Sequence, residues 1–172
     1  MRNFTRVTVT ASVVAGLAMA GALPAYAVDD TTTATVAVQG GVLSMTAPES
    51  VALSAVVPGA NSTGSLVGVT VTDTRAGLAG WVSSIAVTDF DSVSTSTSIP
   101  LTNVSYVPEV AQTVGTVTVA QSTAAAGTGT VQTATAVNGN NTATWDATLS
   151  VLVPADALTA ADYTAVLTHS VI

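Results

Sequence analysis

Cysteine is absent from the 172 residues. That removes disulfides, thiolate metal sites and any lipid-bearing cysteine near the N-terminus. Lysine is absent as well. The basic side chains are Arg2, Arg6 and Arg75, and every acidic residue lies from Asp29 onward. From Val28 to Ile172, ten acids therefore face one arginine, a net charge of −9. Such a surface repels nucleic acid, whose binding depends on Lys and Arg at the phosphates, and it disfavours anionic membranes. Net charge of this size serves solubility, and it can also steer a protein toward cationic wall components or divalent ions.

Histidine is nearly absent, and that bears on catalysis. His169, alone and without cysteine, makes no zinc set. It has no cysteine partner for a nucleophilic dyad, and no Gly-x-Ser-x-Gly elbow accompanies it. Its phase within the last strand pattern reads as a satisfied strand-end side chain. Paired carboxylates can hydrolyse glycosides, yet no pair stands out among the acids. Asp89 and Asp91 flank Phe90 on one face, but calcium takes about six to eight oxygen ligands and no Asp-x-Asp-x-Asp-Gly loop is present. That segment reads as a solvated loop. No enzyme activity, metal or cofactor is expected.

Residues that favour helices, Glu, Lys, Gln and Arg, are scarce, and no long amphipathic helix is visible. Thr, Val, Ala, Ser and Gly dominate. Thr and Val favour strands because their branched side chains pack well on a pleated surface. Several runs alternate with period two: Val36 and Val38; Val67, Val69 and Val71; Ile85 and Val87; Val117 and Val119. The clearest is Trp145, Ala147, Leu149, Val151 and Val153, with Leu152 on the opposite face, and Tyr163, Ala165, Leu167 and Val171 repeat it. Turn residues gather at Pro58–Ser62, Gly77–Gly80, Ala124–Gly129 and Asn138–Asn141, with Asn138-Gly139 a hairpin signal by itself. Val153–Leu158 has room for one helical turn. The pattern predicts a single-domain, all-β sandwich of antiparallel strands.

The chain opens like a secretion signal. Arg2 and Arg6 precede a mostly small and apolar run, Val7 to Leu23, and Ala25-Tyr26-Ala27 offers small residues for cleavage. Residues 1–27 are thus expected to be a signal peptide and residues 28–172 the secreted domain, with no membrane span in the mature chain. Neither a Leu-Pro-x-Thr-Gly-like sorting motif nor a hydrophobic tail closes the sequence, so covalent attachment is not expected.

Two stretches carry the functional reading. In Val69–Trp81 a strand pattern runs into Asp73 and Arg75, then Gly-Leu-Ala-Gly, then Trp81. In Trp145–Ile172, Trp145 leads to Leu149, to Val153-Pro154-Ala155, and to a closing Tyr163-Thr-Ala-Val-Leu-Thr. Order and spacing resemble the paired motifs of the WxL domain of Gram-positive surface proteins. Ala76-Gly77 stands where a glycine usually follows the arginine directly, and the leucine expected two residues after each tryptophan is Ser83 or Ala147 here. The resemblance implies non-covalent attachment to the cell wall, with peptidoglycan as partner and Trp81, Trp145, Asp73 and Arg75 as ligand-binding residues. An exposed indole stacks on a sugar face, and a guanidinium forks a stem-peptide carboxylate. The alternative for the tryptophans is burial in the core, which the phase of Trp145 with Leu149 and Val151 favours. For Asp73 and Arg75, two apart on a strand, it is an ion pair locking the turn. A second functional reading is a structural or adhesive protein that assembles with itself or with other surface proteins through edge strands. No lysine blunts those edges.

Overall fold

The Thr/Val-rich sequence folds into ten strands, described by a computed structural model for residues 30–172; the expected signal peptide, residues 1–27, lies outside them. The strands are β1 (Leu43–Thr46), β2 (Asn61–Asp73), β3 (Trp81–Val87), β4 (Phe90–Ser92), β5 (Thr97–Ile99), β6 (Val104–Pro108), β7 (Gln112–Gln121), β8 (Ala124–Ala125), β9 (Thr128–Leu152) and β10 (Leu167–Val171). One three-residue 3-10 turn, Leu101–Asn103, is the only helical element among the described residues. All pairing is antiparallel, as the alternating pattern predicts.

The organising element is β9, 25 residues long. Along one edge it pairs first with β3 and then with β2. Along the other it pairs with β7 and then with β6. A strand of this length stays in one sheet only by bending. The bend falls where Ala136 (φ 51°) and Gly139 (φ 77°) take left-handed backbone, a conformation that glycine adopts without steric cost. The two halves of β9 thereby occupy different positions in one curled sheet. Its main path runs β1, β2, β9, β3 and β10, while the other edge of β9 carries β7 and β6, with β8 paired to β6. Gly127 stitches the far side, donating its N–H to Val104 and accepting from Val87. β1 comes up beside β10 with no ladder between them. The expected all-β antiparallel architecture is therefore present, with both of its layers supplied by one nearly closed eight-stranded sheet and a separate β4–β5 ribbon.

The interior holds Leu66, Val69, Val71, Trp81, Ile85, Tyr106, Val131, Trp145, Leu149 and Val151, among others. The phase of β9 from Trp145 to Val151 is the one read from sequence, with Leu152 facing out. Other local expectations fail for identifiable reasons. Val67 does not share a face with Val69 and Val71 and is 65 % exposed. A bulge between Leu66 and Val69 resets the phase, with Gly68 at φ 80° and its N–H donated to the Asp146 carboxylate at 2.8 Å. Gly77–Gly80 is no hairpin turn, because β2 and β3 do not pair with each other; both pair with β9, and the loop bridges them along its edge. Asn138-Gly139 likewise makes no hairpin and forms the bend of β9 instead. Pro154–Ala157 closes a single turn, through Ala157 N–H to Pro154 C=O, and no helix follows. Residues 30–42, including Val36 and Val38, are exposed and form no strand.

Candidate functional site

The residues singled out near Arg75 do come together. Asp73 ends β2, and Arg75 follows in the loop to β3. The Arg75 Nε and Nη2 donate to the two carboxylate oxygens of Asp73, each at 2.9 Å, and the Arg75 backbone N–H donates to Oδ1 at 3.0 Å. The Asp73 side chain is 2 % exposed and that of Arg75 33 %. Asn141 of β9 donates to Asp73 Oδ2 at 3.4 Å and accepts from the indole N–H of Trp81 at 3.2 Å. Arg75 Nη2 also reaches the carbonyls of Ala79 and Gly80, at 3.3 and 3.0 Å. The result is one connected chain: Trp81, Asn141, Asp73, Arg75 and the backbone entering Trp81. Arg75 holds the Asp73 carboxyl below its usual range, against the opposing pull of burial, and Asp73 in turn raises the guanidinium.

This arrangement commits most of these polar groups to one another. Both oxygens of Asp73 and two nitrogens of Arg75 are occupied. Trp81 and Trp145 are each 2 % exposed, so neither indole presents a face for a sugar to stack upon. Trp145 points into the core and donates its N–H to the Tyr106 hydroxyl at 3.2 Å. Trp145 and Tyr106 belong to a second buried pair, separate from the Asp73 network. The core position and the ion pair, offered above as alternatives, are what the geometry displays.

A polar cluster without a local sequence signature lies at the β4–β5 ribbon. The Asp162 carboxylate accepts from the Ser92 hydroxyl at 2.6 Å, the Ser94 hydroxyl at 2.8 Å and the Ser94 backbone N–H at 2.8 Å. These three donors hold its carboxyl down at about 2. Hydroxyls continue from Ser92 through Thr95 and Thr97 to Tyr163. The monotonous run Asp91–Ser98 gave no sign of it, since its partner is some 70 residues away in sequence. A carboxylate so acidic is a poor general base near neutral pH, where efficient bases titrate close to the working pH. The cluster is chemically a staple between the ribbon and the segment before β10. Asp89 and Asp91 also serve locally, accepting from the Leu101 N–H and the Ser98 hydroxyl.

His169 sits in β10 against the edge of Tyr106, with ring centroids 5.7 Å apart. Burial pushes its imidazole below the usual value and so favours the neutral form. Its Nε2 is buried and receives no hydrogen bond from another protein group. Among the described residues no group of three His, Cys, Asp or Glu side chains converges as a metal site would, and no helix is long and apolar enough to cross a membrane.

One further feature is open to solvent. β7 pairs with β9 along one edge only, and its residues are exposed or half-buried from end to end. It contains no charge and no proline. Register shifts on either side of Thr116 interrupt the ladder and leave Thr118–Gln121 as its longest regular run. Neither a protein-family model, nor a curated protein, nor a solved structure matches this chain.

Proposed function

We propose that this chain is an exported surface protein of a Gram-positive bacterium that works by association and not by catalysis, and that it pairs with a second copy of itself through β7. The free edge of β7 carries this reading. Its unpaired N–H and C=O groups are a template for another strand, and uncharged Thr, Val, Ala and Gln side chains flank them. Bulges twist an edge and shorten any new ladder. Two copies meeting through Thr118–Gln121 would close about a two-fold axis, which ends assembly at a dimer instead of a fibre.

Like charges oppose the dimer, since each copy from Val28 onward carries −9. Salt screens that repulsion over a Debye length of about 10 Å at 0.1 M, so added salt should strengthen the association. Sedimentation velocity across a concentration series tests this. A dimer that strengthens with salt and disappears in Ala120→Lys is the expected result. A monomer at every concentration and salt level sinks the proposal.

A second reading is non-covalent attachment to wall peptidoglycan. It rests on the WxL-like order of Asp73, Arg75, Gly80, Trp81 and Trp145. With both indoles buried, contact with the wall would fall to the surface of the loop that Arg75 holds, where Leu78 is exposed. Pelleting with isolated walls checks it: Leu78→Asp should release the protein, and a chain that never pellets leaves β7 as the functional surface.

A further inference from the structure

The open end of the curled sheet holds a cavity of about 750 Å³, within the range of small-molecule sites. Its floor is core: Leu66, Val87, Phe90, Ile99, Leu149 and Val151. Two lips cover it, residues 48–58 from the β1–β2 connection and residues 157–167 before and into β10. The lips are rich in alanine, with Ala52 and Ala55 on one and Ala157, Ala160 and Ala161 on the other. Val51, Leu53, Tyr163 and Leu167 on the lips pack against the core, and between them the alanines leave space above the floor. Each lip is tied at its middle: the first where Ser54 bonds to Thr63 and Ser62, the second through Asp162 to Ser92 and Ser94, the Asp91–Thr164 bridge and Val166 to Thr88.

The charge of the lining restricts what fits. Glu49 is its only acidic residue, and no Lys or Arg lines it. Arg75 is committed to Asp73. His169 borders the cavity as well, but its burial favours the neutral ring. A carboxylate or phosphate entering here would lose water and meet no cation, a cost that buried charges do not recover without a partner. An uncharged aliphatic chain would exchange water for methyl and methylene contacts, gaining roughly 25 cal/mol for each Å² of apolar surface buried.

We infer that this cavity is a binding site for one uncharged aliphatic chain, such as that of a long-chain alcohol, lying between the alanine lips and the floor of the sheet. The site is separate from β7, so it stands or falls independently of self-association.

The test is calorimetric titration of the full chain with 1-decanol and, separately, with decanoate at pH 7, together with the thermal midpoint under each. Decanol should bind and raise the midpoint, and decanoate should bind at least tenfold more weakly. Ala55→Trp and Ala161→Trp, one on each lip at exposed positions, fill the space from opposite sides. Each should weaken decanol binding about tenfold while the circular dichroism spectrum stays that of the parent. Equal binding of the two probes overturns the inference. So does decanol binding that neither filled variant disturbs, or a midpoint that saturating decanol leaves unmoved.

Discussion

At the scale of single residues, the same four side chains invite a binding reading in sequence and perform a structural task in space. Removing Arg75 leaves Asp73 as a carboxylate that is only 2 % exposed, and breaking a buried pair from one side costs about 3 kcal/mol or more. Arg75→Ala should therefore lower the unfolding free energy measured in urea by about that much. Arg75→Lys should recover only part of it, because an ammonium cannot fork two oxygens. The tryptophans set a limit on functional tests. Truncating a buried Trp to Ala costs about 3–5 kcal/mol, a large share of the roughly 5–15 kcal/mol that holds a domain folded. Loss of wall binding in Trp81→Ala would thus count only where the variant is shown to stay folded. Trp81→Phe removes the N–H given to Asn141 and part of the buried ring, and should cost at least the roughly 1–3 kcal/mol for orphaning a buried acceptor. Chemical denaturation of the four variants ranks them.

At the scale of elements, two glycines separate two kinds of constraint. A Cβ on Gly80 would collide with the Ala134 carbonyl of β9, and that backbone cannot yield without breaking the start of β3. A Cβ on Gly139 would meet nothing within 4 Å, so its cost is the left-handed φ of 77° alone, about 1–2 kcal/mol. Gly80→Ala should therefore destabilise more than Gly139→Ala, and Gly139→Asn should be milder than either, since Asn tolerates that conformation. Thermal melts would give the order. These positions also mark how far elements were legible. Period-two alternation is a local signal, and it placed the core face of β9 from Trp145 to Val151 correctly. The turn signals were local too, and at Gly77–Gly80 and Asn138-Gly139 they misled. Both segments have turn chemistry, but whether a glycine turns the chain back or bends it onward depends on the strand alongside. Here that strand is β9 for one segment and the bridging loop for the other, joined by the Gly139 N–H to the Gly77 carbonyl. The bulge at Gly68 was equally invisible, because the carboxylate that satisfies it, Asp146, lies 78 residues away in sequence. The tryptophans were partly legible, since Trp145 already shared the phase of buried residues.

At the scale of the whole molecule, falling pH removes stability in two separate steps, and His169 acts first. Burial lowers its folded value below that of the unfolded chain, about 6.5 for a free imidazole. Above that value both states are neutral and the residue contributes nothing to the pH dependence. Below it the unfolded state takes up a proton that the folded state refuses, so stability is lost as pH drops from about 7 toward the folded value. Asp73 and Asp162 enter later. Their folded values lie below the unfolded one, so the stability they contribute is full above pH ~4 and is lost as pH falls beneath it. The histidine window opens at about pH 6.5 and the aspartate window at about pH 4, so between pH 7 and pH 5 the histidine is separable. The difference in thermal midpoint between His169→Gln and the parent should change between pH 7 and pH 5, in the direction of relative gain for the variant at pH 5, and should level off once the folded histidine itself titrates. A difference that stays constant across that window would show the imidazole reachable by solvent protons in the folded state, and with it a β10 less firmly closed against Tyr106 than the structure has it.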